Sequence, residues 1–206
     1  MARLLYIKAS PREDDSYSVR AANAFVESYR KSHPDDEIDA MDLFEATLPE
    51  FDCAGVTGRY AFTRGGALTE EQASAWEKIK TIIDHFKSFD KYVIAVPMWN
   101  FGIPYKLKQY IDLITHPTFT FGYKDGERIG YVTGKPVVCF LARGGEYKGA
   151  KKKIDFQKPY LEWALEYIGF TEITSIVIEP TLAGHEIANE RLEKAIRKAK
   201  RLAKIF

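Results

Sequence analysis

Long apolar runs are missing from this 206-residue chain, and no segment approaches the roughly 20 consecutive apolar residues that a bilayer-spanning helix needs. An excess of charge of either sign is missing too: 30 Lys and Arg stand against 29 Asp and Glu, a formal net charge of +1. No long-range field therefore gathers a polyanion, and no basic run is interleaved with aromatics, which argues against nucleic acid as a partner. Cysteine is scarce. The two present, Cys53 and Cys139, form neither a C-x-x-C pair nor a metal-ligand pattern, so a disulfide framework and a metal site are not expected. His33, His85 and His185 show no metal spacing, and His116 reads as a solvated loop residue. Met1 to Ile7 runs straight into a strand pattern with no cleavable leader, so the chain reads as soluble and cytoplasmic. Internal repeats and low-complexity segments are absent as well.

What is present is an ordinary globular composition, 46% hydrophobic, 14% aromatic and 29% charged. One domain over residues 1–206 is expected, long enough to bury roughly 70% of the surface its unfolded chain exposes. Residues 4–9 are a short apolar run stopped by Ser10-Pro11, the mark of a strand buried on both faces. Over 17–31 the period turns helical, with Val19, Ala22, Phe25, Val26 and Tyr29 on one face. Glu37–Asp42 suits a second strand, and 43–66 reads as a long connection with little period. Thr69 and Gln72 carry a capping-box signature for a helix running to about residue 87. Further strands are expected over 91–96, 135–142 and 172–178, and helices over 104–115, 159–169 and 186–204. Between 119 and 132 the period falls to two around Asp125-Gly126, which marks a small hairpin inserted before the fourth strand. Strand and helix alternate five times, the pattern of an α/β doubly wound parallel sheet of five strands with helices on both faces.

In such open sheets ligands bind beyond the carboxyl ends of the strands, where the winding reverses. Three loops lie there. The first, Ser10 to Ser18, leads into a helix: its hydroxyls and unpaired N–H groups suit an anion, although serine is also a preferred helix cap. Glu13, Asp14 and Asp15 oppose an anion unless they face outward. Because G-x-G-x-x-G is absent and Gly134-Lys135 lacks upstream glycines, a phosphate monoester fits better than a triphosphate or a Rossmann dinucleotide. The second loop, Pro97-Met98-Trp99-Asn100-Phe101-Gly102-Ile103-Pro104, crowds aromatics, an amide and a glycine into one strand-to-helix turn. It suits a planar aromatic ligand, or else plugs the sheet end. The third, Ala142-Arg143-Gly144-Gly145-Glu146-Tyr147, has adjacent glycines that let N–H groups approach negative charge. With strand order 2-1-3-4-5 the three loops meet in one crevice.

These residues resemble a known family. Ser10 with Ser16-Tyr17-Ser18, the 97–104 motif with Leu107-Lys108, Val132-Thr133-Gly134-Lys135, and Arg143-Gly144-Gly145 are similar to those of the FMN-dependent NADH azoreductases, flavodoxin-like proteins that are also NADH:quinone reductases. The resemblance implies an FMN phosphate at Ser10, Ser16, Tyr17 and Ser18, and a flavin ring against Pro97, Met98, Trp99, Asn100 and Phe101. Ala142, Arg143, Gly144 and Gly145 would border the pyrimidine end, through backbone donors where the family often has Ser in place of Ala142. It also implies a homodimer with FMN at the interface, and an aromatic at Tyr123 near the substrate pocket. The expected chemistry is ping-pong: NADH or NADPH reduces the flavin, and a quinone or azo compound takes the two electrons. Tyr147 is a candidate proton donor. Two rival readings are a flavodoxin-type electron carrier without turnover of its own, and a cofactor-free interaction module on the same scaffold.

Overall fold

The computed structural model describes residues 1–206 apart from the side chain of Arg64. In chain order the elements are β1 (Arg3–Lys8), α1 (Tyr17–Ser32), β2 (Glu37–Asp42), α2 (Cys53–Arg64), α3 (Glu70–Lys87), β3 (Lys91–Pro97), α4 (Tyr105–Ile114), β4 (Phe121–Lys124), β5 (Glu127–Gly130), β6 (Val137–Ala142), α5 (Lys158–Ile168), β7 (Ile173–Ile178) and α6 (His185–Leu202). Short 3-10 turns occupy Glu13–Asp15 and Gly149–Ile154.

One parallel sheet has the order β2-β1-β3-β6-β7, which is 2-1-3-4-5 when its own strands are counted. β4 and β5 form the separate antiparallel hairpin expected before β6. Alternation along each strand feeds two cores. Leu5 and Ile7 of β1 face a layer built from α3, α4 and α5, whereas Leu4 and Tyr6 face α1 and α6. All six residues of β6 are buried, as a strand covered on both faces must be. Its Phe140 meets Phe25 of α1 edge-on, ring centres 5.8 Å apart. Truncating such a ring to alanine costs roughly 3–5 kcal/mol, so this contact fixes α1 on the sheet.

The capping box forms as read from the sequence: the Gln72 N–H donates to Thr69 Oγ1 at 3.2 Å, and the Thr69 N–H to Gln72 Oε1 at 3.0 Å. The aperiodic reading of 43–66 needs correction, because α2 occupies half of it. Asp52 caps that helix by accepting the Gly55 N–H at 2.9 Å, and Gly65 ends it at φ 73°. The positions it buries are Gly55 and Gly58. A Cβ at Gly58 would lie 2.9 Å from the Gln72 carbonyl oxygen, so glycines make the contact with α3 that apolar side chains make elsewhere. β6 begins two residues later than expected, because Lys135 turns aside to donate to the carbonyls of Lys87 and Phe89 at 2.6 and 2.5 Å. Both cysteines are free, Cys139 buried and Cys53 exposed. Among the described residues no helix is long and apolar enough to cross a membrane, and no group of three or more His, Cys, Asp or Glu is placed to hold a metal ion.

Candidate functional site

The carboxyl ends of four strands open onto a cleft of about 180 Å³. The loop after β1 brings Ser10, Arg12, Ser16 and Tyr17, and the loop after β3 brings Pro97, Met98 and Trp99. β6 ends on the cleft with Ala142 and Gly144. A fourth loop, after β7, adds Thr181 and Leu182, which the sequence reading missed. Only topology pointed to it: β7 is the neighbour of β6.

The first loop ends in a helix start left open. Ser16 is the N-cap of α1, yet its side chain makes no capping bond. The first intrahelical bond runs from the Arg20 N–H to the Ser16 carbonyl at 2.9 Å, so helix geometry leaves the N–H groups of Tyr17, Ser18 and Val19 without intrahelical acceptors. Ser16 Oγ lies 3.1 Å from the buried Ser18 Oγ, which sits behind the cleft wall. No acidic residue occupies the first turn of α1. Glu13, Asp14 and Asp15 are exposed in their 3-10 turn, which removes the objection they raised. Free N–H groups, hydroxyls and the positive end of a helix dipole together make an anion site.

The second loop is held in a tight turn. Trp99 and Gly102 exchange backbone hydrogen bonds at 3.0 and 2.9 Å, and between them Asn100 and Phe101 take φ of 46° and 71°. Two left-handed residues in a row are ordinarily Asn-Gly or Gly-Gly. A phenylalanine there costs on the order of 1 kcal/mol, a strain that collects at functional sites. The Trp99 ring is braced by Phe44 and Tyr105, with ring centres 5.6 and 6.3 Å away. Asn100 faces a neighbouring groove of about 630 Å³ shared with Trp99, Phe51 and Tyr105. Past Phe51 and Asp112 a further hollow of about 320 Å³ reaches Tyr160, Trp163 and Tyr167.

In the third loop a Cβ at Gly144 would lie 2.6 Å from Leu182 Cδ1, so the glycine lets the β6 and β7 loops close on each other. Arg143 is turned inward and only 3% exposed, its Nη1 2.9 Å from Asp155 and 3.5 Å from Glu179. The Tyr147 ring lies over that guanidinium, 5.5 Å from ring centre to Cζ. Neither side chain lines the cleft, nor do Phe101, Gly145 or Tyr123. Tyr123 stands 67% exposed on the hairpin, its hydroxyl 3.4 Å from that of Tyr167. His116 is not solvated as expected: it is buried against Trp76, ring centres 4.5 Å apart, with Nδ1 2.7 Å from the Pro117 carbonyl oxygen. Burial lowers its pKa from 6.5 to about 4.

A five-stranded sheet of this order with an anion site, an aromatic wall and a glycine loop at one edge defines a flavodoxin-like protein, and a family model described as flavodoxin-like fold matches residues 2–203. An FMN-dependent NADH:quinone oxidoreductase of Nitratidesulfovibrio vulgaris (strain DP4) is 47% identical, with all of both chains covered. Another of that name from Desulfotalea psychrophila is 42% identical over 99% of this chain and 97% of its own. Among solved structures, an azoreductase from Bacillus anthracis str. Sterne superposes with a TM-score of 0.93 at 29% identity, covering all of both chains. An FMN-dependent NADH-azoreductase from Bacillus anthracis str. Ames Ancestor, in complex with FMN, gives 0.87 at 27% identity, over 98% of this chain and all of that one. The chain belongs to the flavodoxin-like family and, within it, to the FMN-dependent NADH:quinone oxidoreductases.

Proposed function

We propose that residues 1–206 are a single FMN-binding domain that carries two electrons from NADH to quinones and azo compounds. The observation that carries this reading is the start of α1, where free N–H groups and the Ser16 hydroxyl, which makes no capping bond and meets only Ser18 Oγ, open onto the same cleft as Trp99 and Gly144. An anion site beside an aromatic wall suits a flat ring with a phosphate tail. The names of the relatives and of the solved neighbours support the same activity.

Ser10, Ser16, Tyr17 and Ser18 would hold the phosphate together with the first N–H groups of α1. Pro97, Met98, Trp99, Asn100 and Phe101 would hold the ring, and Ala142, Arg143, Gly144 and Gly145 would border its pyrimidine end, Arg143 by its place in the loop and not by its side chain. When bound, FMN would supply the two-electron redox chemistry that links the nicotinamide to the second substrate. The chain's part is to orient and stabilise. Trp99, braced by Phe44 and Tyr105, fixes one wall, and the glycine loop, which puts Gly144 on the cleft, would offer backbone N–H donors to negative charge on the ring. Tyr147, packed on Arg143, lies off the cleft lining and would act as proton donor only by turning from that contact toward the substrate.

A second copy of the chain covers the aromatic face that runs from Trp99 past Phe51 to Trp163. Tyr105, Tyr123 and Trp163 are 63%, 67% and 60% exposed there, a patch that a lone chain in water rarely keeps. In that dimer Tyr123 approaches the partner's cleft, and two free cysteines suit a reducing cytoplasmic setting. The test is anaerobic. Protein loaded with FMN should bleach on adding NADH and recover on adding menadione, with parallel double-reciprocal lines when both substrates are varied. Colour that NADH leaves untouched, or slow reduction without turnover, overturns the reading.

A further inference from the structure

We infer that Arg143 is the positioning residue for the ring-holding half of the cleft, acting from beneath it without touching the ligand; the inference rests on the flavin reading above. Its guanidinium joins three walls. Nε donates to Gln157 Oε1 at 3.0 Å, and Nη1 meets Asp155 at 2.9 Å and Glu179 at 3.5 Å. Gln157, fully buried, donates Nε2 to the Val96 carbonyl at 3.0 Å, one residue before Pro97 of the aromatic wall. Asp155 accepts the N–H groups of Gln157 and Lys158, each at 3.1 Å, and so fixes the start of α5. Glu179, at the end of β7, accepts the Tyr147 N–H at 3.2 Å. The backbone of the same residue completes the tie: the Arg143 carbonyl accepts the Thr181 N–H at 2.9 Å and its Oγ1 at 3.0 Å. The ends of β3, β6 and β7 are thereby set relative to one another by one side chain.

Stability alone does not account for such a hub. A buried ion pair commonly contributes no more than well-packed apolar residues of the same volume, because desolvation offsets the attraction. Among the described residues Arg143 Nη2 has no acceptor, so the hub does not use every donor that it buries. What an apolar replacement cannot supply is fixed geometry across three separate loops, and ligand loops need that geometry within a fraction of an ångström. The phosphate half is built independently. Among the described residues no hydrogen bond joins the hub to the 10–18 loop, whose donors come from α1 itself.

This division gives a test that separates positioning from general loosening. Equilibrium dialysis would compare FMN, riboflavin, which lacks the phosphate, and inorganic phosphate as a competitor of FMN. Arg143→Lys should weaken FMN and riboflavin by the same factor, about tenfold or more, and leave the phosphate inhibition constant unchanged. Ser16→Ala should weaken FMN alone. The reduction potential of the bound flavin should also move in Arg143→Lys and stay in Ser16→Ala. Should the arginine variant fail to fold, Glu179→Gln, equal in volume and lacking one charge of the hub, should show the same pattern more weakly. Unchanged binding of both flavins, or equal loss of flavin and phosphate, overturns the inference. A wild-type protein that takes up no flavin overturns the functional reading, and this inference with it.

Discussion

The two ends of the central sheet treat their polar groups differently. At the amino ends of the strands most are paired within the fold, the buried Tyr110 hydroxyl and His85 Nδ1 excepted: the Tyr92 hydroxyl donates to the carbonyls of Phe86 and Phe89 at 2.6 and 3.2 Å. Lys135 closes the last turn of α3, the Tyr29 hydroxyl donates to Asp36 at 2.5 Å, and Lys91 donates to Tyr29 at 2.8 Å. Burial holds the Tyr92 and Tyr29 phenols above their usual range and the Lys135 amine below its own. At the carboxyl ends α1 starts without a side-chain cap, and Asn100 and Phe101 keep left-handed backbone. Buried donors are normally satisfied, so an end that leaves them open keeps them for a ligand. One end of the sheet stabilises the protein, and the other spends stability on a site.

Breaking the closed end should cost the most. Lys135→Met leaves the Lys87 and Phe89 carbonyls short of a donor and should lower unfolding free energy by about 2–3 kcal/mol in urea titrations, with FMN affinity unchanged. Acid should attack the buried side next. His116 is held at about 4 in the fold against 6.5 unfolded, so its contribution is full above pH 6.5, falls as pH drops through that window and is gone below about 4. The loss is on the order of 2 kcal/mol, and a His116→Gln protein should lack that part of the pH slope when melts are compared across the window. Breaking the open end should touch melting less: Ser16→Ala is expected to weaken FMN about tenfold, with the apoprotein Tm lowered only by the loss of its bond to Ser18 Oγ. The smallest effect sharpens the contrast by reversing its sign. Phe101→Gly relieves the strained turn, so the apoprotein should gain up to about 1 kcal/mol while FMN binding weakens.

The fold was legible wherever side chains make the contacts. The apolar runs of β1, β3 and β6, the alternating faces of β1 and the Thr69/Gln72 box all carry their structure in local pattern. α2 was not legible, because its contact face is Gly55 and Gly58, residues that a hydrophobic-period reading takes for breaks. A cap signature was present, Asp52 before it and Gly65 after it. At the site, hydroxyls and aromatics announced the loops after β1 and β3, whereas Thr181 and Leu182 enter only because β7 lies beside β6. The side-chain direction of Arg143 was beyond a linear reading: its partners Asp155, Gln157 and Glu179 come from two further segments of the chain.

Titrating the apoprotein with FMN and with riboflavin tests the central contrast most directly. Saturation at one FMN per chain, with riboflavin clearly weaker because the open start of α1 has no phosphate to hold, is the expected result. Equal affinity for the two ligands, or uptake of neither, would contradict the account.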